Sequence, residues 1–399
     1  VSLPPCPVPA VPELTARVAH AAFPKGIPYL RLRDKLGTVF RDADFADLYP
    51  RRGQPAVTPW RLALITVLQF REDLSDRAAA EAVRARIDWK YLLGLELTDP
   101  GFDASVLCEF RSRLLDGGAE GVLLERLLDR CKSLGLLKAR GRQRTDSTHV
   151  LARARATVRL GCATEALRHA LNSLAIVAPE WLRGHSSPEW VERYGRRTDE
   201  SRFPAAADER RAYACRLGED GHALLAAVYG SDAPAWLGQV PAVEALRRVW
   251  VQQFTIDAGH VRWRTDAEGV PPARLFLSSP YDVEARLGKK DTTTWVGYKV
   301  HLTETCEDEA PHLIVHVATT PAPVADGDVT PTIHEGLRGL DLLPGKHAVD
   351  TAYVDAELLV SSQREYGVDL IGPTRPDYRW QSKAGEGFAA RDFAIDWGA

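Results

Sequence analysis

The feature that most constrains this chain is a change of period. Up to about residue 135 apolar residues recur at helical spacing. Residues 143–150, Gln-Arg-Thr-Asp-Ser-Thr-His-Val, instead read as a strand with period two. There Arg144, Asp146, Thr148 and Val150 share one face, and Thr145, Ser147 and His149 the other. Helical spacing returns over residues 162–254, with breaks expected at Pro179, at 186–188 and at 218–221. Strand signals resume at 294–303 and 312–320, and the acidic turn 304–310 between them predicts an antiparallel hairpin. A helix at about 329–340, a strand at 346–350, a helix at about 355–366 and a strand at 368–372 follow. With the helical insertion set aside, three strands and then alternating helix and strand predict an α/β class, a mixed sheet flanked by helices.

The part before the switch reads as an all-α N-terminal domain. Thr58 is the expected N-cap and Pro59 the first helical residue. Trp60, Leu62, Ala63, Leu64, Ile65, Val67, Leu68 and Phe70 then follow almost without a polar break, so this helix should be buried. A short polar turn, 72–76, leads to an alanine-rich helix over about 76–86. Asp103 is placed to cap a third helix, and a fourth runs over about 120–134. Such a pair of helices is either part of an ordinary bundle or a helix-turn-helix, which would bring Arg77, Arg84 and Lys90 to a DNA duplex. The expected organisation is a Pro-rich segment 1–24, a helical domain 25–137, a core 138–372 with its helical insertion at about 160–280, and a loop or strand remnant 373–399.

Net charge is only −3, but it is unevenly spread. Residues 1–160 carry 26 Lys and Arg against 19 Asp and Glu, and the remainder carries 25 against 35. The densest basic run, 138–159, holds Lys138, Arg140, Arg142, Arg144, Arg153, Arg155 and Arg159 against Asp146 alone. It could follow a phosphate backbone or be a solvated face. The apolar runs fall short of a bilayer span, and six scattered cysteines without a Cys-x-x-Cys pair predict free thiols in a reducing cytoplasm. The absence of methionine and an Arg to Lys ratio of 41 to 10 suggest a GC-rich bacterial coding sequence.

Asp146 lies mid-strand and Asp350 at the end of the fourth core strand. Two carboxylates on central strands repel unless a cation lies between them, and oxygen ligands favour Mg²⁺ or Mn²⁺ over zinc. Such ions serve phosphoryl transfer; the alternative is that either aspartate merely caps a turn. Competing motifs are absent: Gly288-Lys289-Lys290 lacks the rest of a phosphate-binding loop, and His334-Glu335 lacks the second histidine of a zinc protease.

Three blocks carry a resemblance: Arg144-Thr145-Asp146-Ser147-Thr148-His149-Val150, Thr294-Trp295-Val296-Gly297-Tyr298-Lys299-Val300-His301-Leu302, and Val349-Asp350-Thr351-Ala352-Tyr353-Val354-Asp355-Ala356. They resemble the corresponding blocks of bacterial insertion-sequence transposases of the DDE superfamily. Residues 40–115, with Thr58-Pro59 and Leu74-Ser75-Asp76-Arg77-Ala78-Ala79, are similar to the helical domain preceding their catalytic core. The resemblance implies an RNase H-like core, Asp146 and Asp350 as the first two metal-binding carboxylates, and Mg²⁺ or Mn²⁺ as cofactor. It also implies double-stranded transposon ends as partner, with a homodimer as the expected assembly. Arg77, Arg84, Arg153 and Arg155 are the expected DNA contacts. The family's third carboxylate is a glutamate on a helix after the last core strand, in a block with tyrosine, arginine and lysine, and no such block occurs here. Glu357 and Glu365 fall on the helix between the fourth and fifth strands, and Glu386 sits among glycines. The expectation is therefore a truncated transposase, inactive as a strand-cutting enzyme, or a DNA-binding protein that interferes with full-length copies.

Overall fold

The computed structural model describes residues 1–3, 7–152, 159–197, 203–269, 271–290, 292–373, 380 and 384. The chain divides into two compact units, residues 1–141 with 307–311, and residues 142–306 with 312–399.

The first unit is built from helices: α1 (Glu13–Ala22), α2 (Pro28–Leu36), α3 (Pro59–Arg71), α4 (Asp76–Ala85), α5 (Ile87–Leu93), α6 (Ser105–Asp116) and α7 (Val122–Ser133), with a 3₁₀ segment at Asp42–Leu48. Its core joins Trp60, Leu62, Ile65 and Leu68 of α3 to Phe45, Val83, Trp89, Leu92, Leu93, Leu107 and Phe110. Each such side chain contributes about 1.5–3 kcal/mol on burial. The α3 helix keeps one face outside, where Val67 and Phe70 are exposed. Thr58 precedes it without a side-chain cap, its hydroxyl lying 3.4 Å from an Arg61 guanidinium nitrogen instead. The α4 helix is capped by Ser75, whose Oγ accepts the Ala78 N–H. Between α3 and α4, Glu72 accepts from Tyr29 and Arg86, which ties the turn to α2 and to the start of α5.

The second unit opens with β1 (Arg142–Leu151) and continues through α8 (Arg159–Val177), α9 (Pro179–His185), α10 (Pro188–Tyr194), α11 (Ala207–Val228) and α12 (Pro241–Gln253). A small hairpin, β2 (Phe254–Asp257) with β3 (His260–Trp263), packs with these helices. The helical break expected at 218–221 does not occur, because α11 runs straight through it. Gly218 and Gly221 are there for packing: a Cβ on Gly221 would meet the Trp250 ring at 2.0 Å, and one on Gly218 would meet Phe254 at 2.6 Å. Among the described residues the insertion buries a core of its own, with Leu167, Leu174, Leu217, Leu224, Val243 and Leu246 at its centre.

After the insertion come β4 (Arg286–Lys290), β5 (Thr293–Thr305), β6 (Ile314–Pro321), α13 (Asp326–Gly339), β7 (Lys346–Val349), α14 (Ala356–Ser361), which continues into a wide turn at Ser362–Tyr366, and β8 (Asp369–Ile371). The strands at 293–305 and 314–321 form the antiparallel hairpin that the spacing predicts. The six-stranded sheet is mixed: β1 pairs antiparallel with β5, β5 antiparallel with β6 and β4, β1 parallel with β7, and β7 parallel with β8. The long β5 pairs with β4 through its first half and with β1 through its second, and the handover falls at Gly297. Its φ is +152°, and a Cβ there would stand 2.1 Å from the Val150 carbonyl oxygen, so only glycine permits the approach.

Candidate functional site

Strand alternation decides which β1 side chains face inward. Gln143 and Thr145 are buried, while Arg144, Asp146 and Thr148 are exposed. The parallel pairing of β1 with β7 runs from Arg142 opposite Lys346 to Thr145 opposite Val349. The next residues are Asp146 and Asp350. Adjacent strands lie about 4.8 Å apart, and a continuation of that register by one residue would set the two aspartates opposite each other just past the paired stretch.

Each aspartate is held locally. Asp146 Oδ1 accepts the Ser147 N–H at 2.7 Å, and Asp350 Oδ1 accepts the Ala352 N–H at 2.8 Å, the latter capping the 3₁₀ turn Thr351–Tyr353. Beneath that turn Tyr353 is fully buried, its hydroxyl 2.5 Å from His301 Nδ1. Burial pushes the Tyr353 phenol well above its ordinary range, and the charges of Asp326, Asp350 and Asp146 push it further.

Asp326, the first residue of α13, went unnoticed in the sequence. It forms an ion pair with Lys299 of β5, both side chains being largely buried. Asp326, Lys299 and Asp350 line one cavity of about 840 Å³ with Lys289 and Gly288 of β4. Lys299 lies in the quoted Trp-Val-Gly-Tyr-Lys block, so a signal was present. Asp326 carries no local signal beyond opening a helix.

Asp146 and Asp350 fit a hard divalent cation by donor type, since both offer exposed carboxylate oxygen. Among the described residues no group of three or more His, Cys, Asp or Glu is placed to hold a metal ion. Glu357 and Glu365 are exposed on the α14 segment, outside the residues lining the Asp350 cavity, and Glu386 lies outside the described residues.

The expected DNA contacts divide. Arg77 is exposed on α4 and forms no ion pair with a described residue. Arg84 is exposed too, but it pairs with Glu81 and donates to the Pro100 carbonyl at 2.9 Å. Lys90 does not belong among them: it is 3% exposed, and its ammonium donates to the carbonyls of Asp99 and Glu96 at 2.8 and 3.3 Å. Buried, and with two of its three donors on backbone oxygens, this ammonium is not presented to a phosphate. Arg153 and Arg155 lie outside the described residues. Elsewhere in the basic run, Lys138 pairs with Glu307 at 3.9 Å and Arg144 with Glu304 at 2.6 Å.

Comparison with known families addresses the first unit. Residues 17–113 match the family described as Transposase domain (DUF772). The match supports a transposase. It takes in α3 to α5, and hence the turn pinned by Glu72 and the helix bearing Arg77 and Arg84, and it ends before β1. No curated protein and no solved structure matches the chain. Among the described residues no helix is long and apolar enough to cross a membrane.

Proposed function

We propose that this protein is a DNA transposase of the DDE type, with an RNase H-like core that cuts and joins DNA strands. The observation that carries the reading is that Asp146 and Asp350, 204 residues apart, directly follow Thr145 and Val349, the last residues paired between the parallel strands β1 and β7. The transposase-domain match on the preceding unit supports the same reading independently. So does the sheet order, with antiparallel strands on one side of β1 and parallel strands on the other.

In this reading Asp146 and Asp350 hold Mg²⁺ or Mn²⁺. Such an ion activates the attacking oxygen and stabilises the leaving one in phosphodiester displacement. The protein's own residues do the positioning. The Ser147 and Ala352 N–H groups fix one oxygen of each carboxylate, and the buried Tyr353 of the Asp350-capped turn is tied to His301 of β5 by a hydrogen bond. Lys289 adds a cation to the cavity that Asp350 lines, where Lys299 is already engaged by Asp326. Arg77 and Arg84 would contact duplex transposon ends, and transposon ends brought together in pairs would call for a homodimer.

A second reading is a DNA-binding protein that competes with active copies without cutting. It draws on the donor count, since the described residues gather no third ligand around the two aspartates. Incubation with Mn²⁺ and end-labelled DNA flanking the coding sequence separates the two. Strand cleavage abolished by Asp146→Ala supports the enzyme, whereas retention of that DNA without cleavage supports the competitor.

A further inference from the structure

The insertion contains a second cavity, of about 690 Å³, far from simple in its lining. Five arginines line it: Arg159 at the start of α8, Arg210 and Arg211 on the first turns of α11, and Arg262 and Arg264 at β3 and just beyond. Trp263 and Leu160 supply an apolar wall, and no acidic residue is among the lining. Only part of this charge is answered nearby. Arg262 is paired with Glu268 and Asp257. Arg210, Arg211 and Arg264 form no ion pair with a described residue, and Arg264 Nε is buried without a hydrogen-bond partner. Trp263 is fixed by its neighbours, with Phe254 edge-on at 5.1 Å and the Arg159 guanidinium 4.9 Å from its ring centroid.

Converging arginines repel one another and leave donors unsatisfied, a cost that an anion removes. The aromatic wall adds a requirement that the anion carry a flat apolar part, because nucleobases stack on tryptophan and on arginine planes. A volume of this size suits one nucleotide and excludes a double helix. We infer that this cavity receives one unpaired nucleotide of a DNA strand, its phosphates on Arg210 and Arg211 and its base against Trp263. The inference rests on the DNA-transposase reading and deepens it, because strand cutting and joining leaves nucleotides without a partner. A free nucleotide offers the same chemistry, so the test includes one.

The test uses the full chain and a fluorescein-labelled 20-nucleotide single strand, the matching duplex, and thymidine 5′-monophosphate as competitor, read by anisotropy over a salt series. The double variant Arg210→Ala/Arg211→Ala should weaken single-strand binding about tenfold. It should also lower the logarithmic salt slope by about 1.4, at about 0.7 per lost phosphate contact, with duplex binding and the melting temperature little changed. In parallel, a strand carrying 5-iododeoxyuridine, irradiated in the complex, should cross-link to the peptide containing Trp263. Unchanged single-strand affinity and slope in the variant, or cross-links confined to other peptides, would overturn the inference while leaving the transposase reading in place. Monophosphate binding as tight as the strand would overturn it in favour of a free nucleotide. Failure to bind DNA in any form would remove both.

Discussion

At the scale of single residues, a few side chains decide the chemistry and the sequence exposes them unequally. Asp146 and Asp350 were legible because each sits in a short strand-like block. That they would share a site was expected through the family resemblance rather than from local pattern, which encodes no parallel register between segments 204 residues apart. Lys90 misled in the opposite way, because a lysine on a helix next to a turn reads as exposed until the packing draws it inside. The ion pair of Lys299 with Asp326 is the residue contact most open to a stability test. Lys299→Met leaves a buried carboxylate without its partner and should destabilise the fold by about 3–5 kcal/mol, whereas Lys299→Met/Asp326→Asn should recover much of that in urea unfolding. Behind the aspartates lies a row of buried polar groups. Thr145 Oγ1 is 2.7 Å from both Thr303 Oγ1 and His347 Nε2, and His347 Nδ1 is 2.9 Å from His334 Nε2. Burial lowers His334 to about 4 and His347 to about 3. Both remain neutral in the fold while the unfolded chain takes up protons below about 6.5, so stability falls as pH drops from about 6.5 towards 4. A melting series should show this loss, and His334→Leu should flatten it; an unchanged slope would contradict the assignment.

At the scale of elements, the core strands and most helices follow from period and punctuation, and the misreadings have identifiable causes. Glycines at 218 and 221 read as a helix break, yet they admit the Trp250 and Phe254 rings to the α11 surface. Gly221→Ala should therefore destabilise by about 1–3 kcal/mol through overpacking. Gly184 on α9, with nothing within 4 Å of its would-be Cβ, provides the contrast. Its replacement by alanine should be neutral or stabilise by up to about 1 kcal/mol in the same thermal melts. The β2–β3 hairpin escaped notice because its two-residue turn pairs Gly259 with Ala258, which adopts φ +47°, a place where Asn or Asp is the usual signal. The β4 strand escaped for a different reason: Leu287-Gly288-Lys289-Lys290 has neither β-branched residues nor alternation, and it forms as an edge against β5.

At the scale of the whole molecule, the chain joins a helical unit that matches a transposase domain to a mixed-sheet unit that carries two aligned aspartates. The excess of Lys and Arg within residues 1–160, 26 against 19 Asp and Glu, spans the first unit and the opening strand of the second and is densest at 138–159. Full-length protein should bind duplex DNA with an affinity that falls steeply with salt. Arg77→Ala should lower the logarithmic slope by about 0.9, and Arg84→Ala by less, because Glu81 already engages that guanidinium. Binding indifferent to salt would count against both arginines.

The central claim is that Asp146 and Asp350 act as one site, and Mn²⁺ titration of the full chain by calorimetry tests it directly. The wild type should bind the ion, and Asp146→Ala and Asp350→Ala should each abolish that binding while melting like the wild type. Isotherms for both variants that overlay the wild type, or loss in one variant alone, would contradict the account.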